Sequence, residues 1–219
     1  MKTIDINTWK RKTHYNNFIK YTNPIFSIGA QIEVTNLVLR CKERGESFFA
    51  NLLYVATKCI NEVEELKTRI LNGNVVVYDN PSPSYVVMAD DGVIVTANTP
   101  FNSDYNAFYG AVRKEIENAK KDSVRGEFSA VANNNCIYFS CLPWVKVTAA
   151  QNPYNLTDVE QSTIPRVLWG KYYQDGFGKY YIYFDIAAHH ALADGQHIAE
   201  AINKIEVAIK NINEFLKGE

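Results

Sequence analysis

Near its C-terminus the chain sets a strand, a turn and a helix end to end. Tyr180 to Ala188 is the most strand-like run in the sequence, and it leads straight into His189-His190-Ala191-Leu192-Ala193-Asp194-Gly195-Gln196-His197. Beyond it, Ile198, Ile202, Ile205, Ile209, Ile212 and Leu216 recur at three and four residues, which predicts an amphipathic helix over 195–217. A buried strand that turns at small residues into a long helix is a rigid place to hold chemistry. Three of the four histidines lie in that turn.

Other elements are mixed without regular alternation. Asn7 is read as a cap before Trp9, Tyr15, Phe18 and Ile19, and Pro24 ends that helix. A strand is predicted over Ile25 to Val34. Ser47 caps a helix in which Phe48, Leu52, Val55, Cys59 and Ile60 share a face, and Asp104 opens another with Phe108, Val112, Ile116 and Ala119 on its stripe. After the Asn72-Gly73 turn, Val75–Tyr78, Tyr85–Met88 and Val93–Thr96 read as three strands of a meander. Segment 122–134 is read as a surface connection. Cys136 to Leu142 is a nearly continuous apolar run that Pro143 ends, as for a strand buried on both faces. Segment 148–165 is polar and reads as a long loop. The fold class predicted is α+β, a mixed β-sheet with flanking helices.

At 219 residues, 47% hydrophobic and 21% charged, the chain is long enough to bury one core, and residues 1–219 are read as one domain. Lys+Arg at 23 against Asp+Glu at 24 leaves no overall field for nucleic acid or an anionic membrane. Four cysteines without CxxC spacing read as reduced, mostly buried thiols. The N-terminus reaches charged residues before any apolar run, and no stretch of 18 apolar residues occurs, so a cytoplasmic location is expected.

An imidazole at a strand end can act as a general base, because its ordinary pKa lies near neutrality. His190 is followed four residues later by Asp194, and Gly195 lets the backbone bend. Other readings share these residues. Asp194 could simply cap the next helix. His190, Asp194 and His197 could bind a metal, although HExxH and nearby cysteine pairs are absent, and no metal is expected. A Ser-His-Asp hydrolase would need a GxSxG elbow, which the chain lacks.

The run His-His-Ala-x-x-Asp-Gly-x-His at 189–197 resembles the active-site signature of the chloramphenicol acetyltransferase family. Ser140-Cys141-Leu142-Pro143-Trp144 is similar to that family's Ser-x-x-Pro-Trp segment, and Trp9-Lys10-Arg11-Lys12-Thr13-His14 to its N-terminal Trp-x-Arg-x-x-His. Similar spacing at Val77-Tyr78-Asp79 and Gly170-Lys171-Tyr172 extends the resemblance over nearly the whole chain.

The resemblance implies a two-layer sandwich of the CoA-dependent acyltransferase type and direct acetyl transfer from acetyl-CoA to a hydroxyl of chloramphenicol or a related small molecule. His190 would be the general base and Ser140 a donor to the oxyanion. Asp194 would pair with Arg11 and hold the turn. Lys171, Tyr172 and Trp144 would bind acetyl-CoA. The family also implies a homotrimer with active sites between subunits. Taken alone, Ser140 is an ordinary strand hydroxyl, and His189 and His197 are packing or hydrogen-bonding residues.

The acceptor side departs from the family. Asn17 and Phe18 stand where chloramphenicol-accepting members present aromatic residues, Leu168 stands in place of a threonine, and 148–155 lacks their Phe and Leu. Two alternatives follow. One is a dihydrolipoyl-acyltransferase-like catalytic core, whose signature also contains HxxxDG. The other is a non-catalytic drug- or CoA-binding sequestration protein.

Overall fold

The computed structural model describes residues 1–122 and 134–217, so most of the connection expected over 122–134 lies outside the described residues. In chain order the elements are β1 (Lys2–Thr3), α1 (Lys12–Phe18), β2 (Ile25–Glu33), α2 (Thr35–Arg44), α3 (Phe48–Asn61), β3 (Thr68–Leu71), β4 (Asn74–Val77), β5 (Ser82–Met88) and β6 (Ile94–Asn98). There follow α4 (Tyr105–Lys120), β7 (Cys136–Leu142), α5 (Val159–Ser162), β8 (Arg166–Gly170), β9 (Tyr173–Gln174), β10 (Tyr180–His189), α6 (Gly195–Lys210) and α7 (Ile212–Phe215).

Seven strands form the main sheet in the order β2-β10-β8-β7-β5-β6, with β9 also on β10. β5, β7 and β8 run parallel to one another, whereas β10 is antiparallel to β8 and β2. Alternation along the strands separates two faces. Ile137, Phe139, Val167, Trp169, Ile182, Phe184 and Ile186 point into the core, where α3 is buried nearly all round. The opposite face carries Tyr138, Ser140, Arg166, Leu168, Tyr183 and Asp185 by the same register. Helices on one face of a mixed sheet make the α+β layering expected from the sequence.

Two predicted caps form. Ser47 Oγ accepts from Ala50 N at 3.3 Å, and Asp104 Oδ1 from Ala107 N at 3.0 Å. Asn51, in the first turn of α3, is fully buried, and its amide is matched by Ser47 O at 3.0 Å and the Tyr105 hydroxyl at 2.9 Å.

Several expectations need correction. Asn7 caps nothing: its N–H donates to Asp5 Oδ1 at 2.9 Å in an Asx turn, and the first helix starts only at Lys12. The meander does not form, because β4 pairs with β1 and β3 in a separate three-stranded sheet while β5 and β6 make a hairpin in the main one. β7 is buried only on its core side and toward its start; Tyr138, Ser140 and Leu142 are half-buried. The last helix breaks at Asn211, whose side chain donates to Val207 O at 3.1 Å, although Ile212 and Leu216 continue the buried stripe. Arg69 was not singled out by its sequence context. Fully buried on β3, it donates to the carbonyls of Leu66, Thr68, Asn134 and Cys136 and ties the small sheet to the start of β7.

Candidate active site

β10 ends at His189 because the next rung is only half made: His190 N donates to Pro24 O at 2.8 Å in the same register, but Pro24 has no N–H to return. Leu192 N and Ala193 N both turn back to His189 O, a tight return that the small buried residues Ala191 and Ala193 allow. The His190 imidazole, one third exposed, packs against two aromatic rings. Phe18 of α1 stacks on it at 3.9 Å with planes 5° apart, and Phe26 of β2 lies at 4.5 Å on a tilt. Its Nδ1 is 3.2 Å from Ala193 O and 3.4 Å from Asp194 Oδ1. Both neighbours are acceptors, so the proton belongs on Nδ1 and the lone pair on Nε2.

Asp194 is the N-cap of α6 and forms a reciprocal capping box with His197, and its carboxylate is also held from outside the helix. Arg11 grips it with two hydrogen bonds, Nη1 to Oδ2 and Nη2 to Oδ1, the latter at 2.9 Å. Arg11 Nη2 also reaches His190 O at 3.4 Å, so one guanidinium spans both ends of the turn. The Arg11 hydrogen bond is the main reason the Asp194 carboxyl titrates below its ordinary value. His197 supplies the other half of the capping box: its Nδ1 accepts from Asp194 N at 2.8 Å, and its Nε2 lies 3.3 Å from Glu65 Oε1. His189 is buried, its Nδ1 accepting from Ala191 N at 3.2 Å, and burial pulls its pKa down to about 4. Among the described residues, no three of His, Cys, Asp and Glu are grouped to hold a metal.

Ser140 lies elsewhere on the sheet. It pairs with Leu168, and Leu168 pairs with Asp185, five residues before His190. Two inter-strand spacings and five residues of strand rise put Ser140 and His190 of one chain roughly 19 Å apart. The Ser140 hydroxyl makes no hydrogen bond to the described residues. Lys171, Tyr172 and Trp144 share the Ser140 end: Lys171 N donates to Val145 O at 3.1 Å, and Leu142 pairs with Gly170. Gly170 is required there, because a Cβ would come within 2.9 Å of Val147 Cγ2. Trp144 is 66% exposed. Tyr172 is half-buried against Phe48 and Tyr180.

So the turn residues His190, Asp194 and Arg11 come together as the sequence suggested, whereas Ser140 joins the other group of predicted residues. A family model for chloramphenicol acetyltransferase matches residues 1–206. The chain belongs to the chloramphenicol acetyltransferase family. It is therefore an acyltransferase. A Campylobacter coli chloramphenicol acetyltransferase is 30% identical over 207 residues, covering 93% of this chain and 95% of the relative. Chloramphenicol acetyltransferase 3 of Escherichia coli is 26% identical, covering 93% and 94%. A solved chloramphenicol acetyltransferase superposes with a TM-score of 0.84 at 27% identity, covering 95% of this chain and 99% of that one. A probable dihydrolipoamide acetyltransferase from Listeria monocytogenes, at a TM-score of 0.67 and 11% identity over 97% and 95% of the two chains, shares the fold.

Within this chloramphenicol acetyltransferase family member, the sequence reading missed the ring clamp on the base. In the sequence Phe18 reads as a residue of the first helix stripe and as an acceptor-side departure, and Phe26 falls in a predicted strand; their convergence on His190 depends on how α1 and β2 fold.

Proposed function

We propose that the protein is an acetyl-CoA-dependent O-acetyltransferase acting on a hydroxyl of chloramphenicol or a related small molecule, with residues 1–219 as one catalytic domain. The observation that carries this reading is the fixed imidazole of His190: Nδ1 faces two acceptors, two aromatic rings pack against it, and Nε2 keeps the free lone pair. Nε2 takes the acceptor's proton as the oxygen attacks the thioester carbonyl, and the same N–H returns the proton to the departing CoA sulfur. The Ser140 hydroxyl, which has no partner among the described residues, donates to the oxyanion that forms between these steps.

Ser140 and His190 are too far apart in one chain to meet over one carbonyl. A site that uses both draws them from two copies, which supports the homotrimer with interfacial sites that the family resemblance implies. Trp144, Lys171 and Tyr172 suit acetyl-CoA: an exposed indole, an ammonium and a phenol ring stand together at the Ser140 end, where an aromatic can cover a base and a cation can meet phosphate. No described helix is long and apolar enough to cross a membrane.

The test is thiol release from acetyl-CoA with chloramphenicol and a panel of alcohols. His190→Ala abolishes release while the far-UV spectrum is retained; undiminished release in that variant removes the mechanism. Ser140→Ala lowers kcat about 100-fold with acceptor KM little changed, and a rise in KM alone would make Ser140 a binding group instead.

A further inference from the structure

Of the two acceptors that face His190 Nδ1, Ala193 O is the nearer at 3.2 Å, and Asp194 Oδ1 is already engaged by Arg11. The carbonyl of Ala193 and the N–H of Asp194 belong to one peptide group. That group is planar and trans, so its C=O and N–H point in opposite directions, and whatever fixes the N–H also aims the carbonyl. What fixes the N–H is His197, whose Nδ1 receives it at 2.8 Å.

A neutral imidazole that accepts at Nδ1 carries its proton on Nε2. His197 Nε2 lies 3.3 Å from Glu65 Oε1, and both side chains are largely buried. A carboxylate only accepts, so Glu65 selects this tautomer. With the proton on Nδ1 instead, two N–H groups would face each other across 2.8 Å. The Gln196 amide stands equally close to Nε2, but it can donate as well as accept and so selects neither form. Glu65 is itself firmly placed. It sits in a single helical turn, Glu64–Lys67, in which Leu66 is fully buried and the Leu66 carbonyl receives Nη1 of the buried Arg69 at 2.9 Å. Its charge lies beside the first turn of α6, where the helix dipole favours an anion. Lys10, 3.9 Å from the same oxygen, is exposed and adds little.

We propose that Glu65 is a positioning residue for acetyl transfer: through the His197 tautomer and the Ala193–Asp194 peptide it keeps the proton of His190 on Nδ1 and the lone pair on Nε2. Each link dictates the direction of the next, and such linked hydrogen bonds polarise one another. The inference rests on His190 as the base and deepens that reading, because it names what holds the base in its working tautomer from a turn more than a hundred residues earlier in the chain.

Glu65→Ala is expected to lower kcat about 10-fold and to leave both KM values within about 2-fold, as for a group that acts only through the base. Glu65→Gln, which can accept but also donate, should fall between. The deciding background is His197→Gln, whose amide oxygen completes the capping box and has no tautomer to set. There Glu65→Ala should cost nothing further. An equal loss in both backgrounds, a loss carried by KM alone, or no loss in the native background overturns the proposal.

Long-range proton–nitrogen spectra of the imidazoles, taken at alkaline pH where the rings are neutral, read the relay without turnover. The native protein should show His197 protonated on Nε2 and His190 on Nδ1, and Glu65→Ala should move His190 toward a mixture of tautomers. A native His197 protonated on Nδ1 overturns the proposal even where a variant fails to fold, and so does a His190 signal that Glu65→Ala leaves in place. If the native protein releases no thiol while Glu65→Ala still shifts the His190 tautomer, the relay stands and acetyl transfer is removed. Thiol release that needs His190 but is indifferent to Glu65→Ala does the reverse.

Discussion

The rings of Phe18 and His190 lie parallel, 3.9 Å apart, although one belongs to the first helix and the other to the turn after the last strand of the sheet. The stack holds the imidazole in the plane that lets Nδ1 face Ala193 O. An aromatic pair is worth about 0.5–1.5 kcal/mol. Phe18→Ala is therefore expected to lower kcat/KM up to about 10-fold with a small change in melting temperature. Phe18→Tyr keeps the ring and should retain most of the activity. Full activity in the alanine variant would show that the stack does not position the base.

Arg11 and Asp194 are expected to act through the turn. Removing one partner of a buried ion pair costs about 3–5 kcal/mol, and partial exposure of Asp194 puts Arg11→Met near the lower end. Arg11→Lys should not rescue it, because an ammonium cannot make both bonds or reach His190 O as well. The folded-state pKa of Asp194 lies below its ordinary value, so its contribution is present above the ordinary carboxylate range and lost as pH falls below it. Urea midpoints across that acid range should drop for the native protein and be flatter for Arg11→Met.

His189 sets a different pH window. Its pKa is about 4 in the folded protein against 6.5 ordinarily, so the unfolded chain takes up its proton first on acidification. The stability it contributes is complete above 6.5 and is lost as pH falls toward 4, about 3 kcal/mol in all. His189→Gln should remove that slope between those two values while leaving the lower Asp194 window in place. An unchanged slope would place the titrating group elsewhere.

How much of this could be read from residues alone divides along local and non-local lines. Ser47 and Asp104 signalled their helices because a cap needs only its next three residues. α2 went unread although Gly45 ends it in the left-handed region, at φ 65°, and Lys42 and Arg44 sit in its last turn; its start lacks a side-chain cap. β8 is five residues long with an arginine at one end and a glycine at the other, too short for alternation to speak. Of the strands from Val75 to Thr96, β5 and β6 pair as the meander predicts, but β4 does not join them: the other neighbour of β5 is β7, with partners such as Cys136 for Ser82 far along the chain. For the site, His190 and Asp194 were legible because a turn brings them together. The separation of Ser140 from His190 was not, because it depends on the register of three strands.

That separation yields the most direct test. His190→Ala chains keep Ser140, and Ser140→Ala chains keep His190. Co-expressed in equal amounts and assembled at random, about one quarter of interfaces would receive the native residue from both sides. The expected result is acetyl transfer near a quarter of the native rate, well above either variant alone. Activity no higher than the mean of the two separate variants would contradict a site in which one copy's His190 works across from another copy's Ser140.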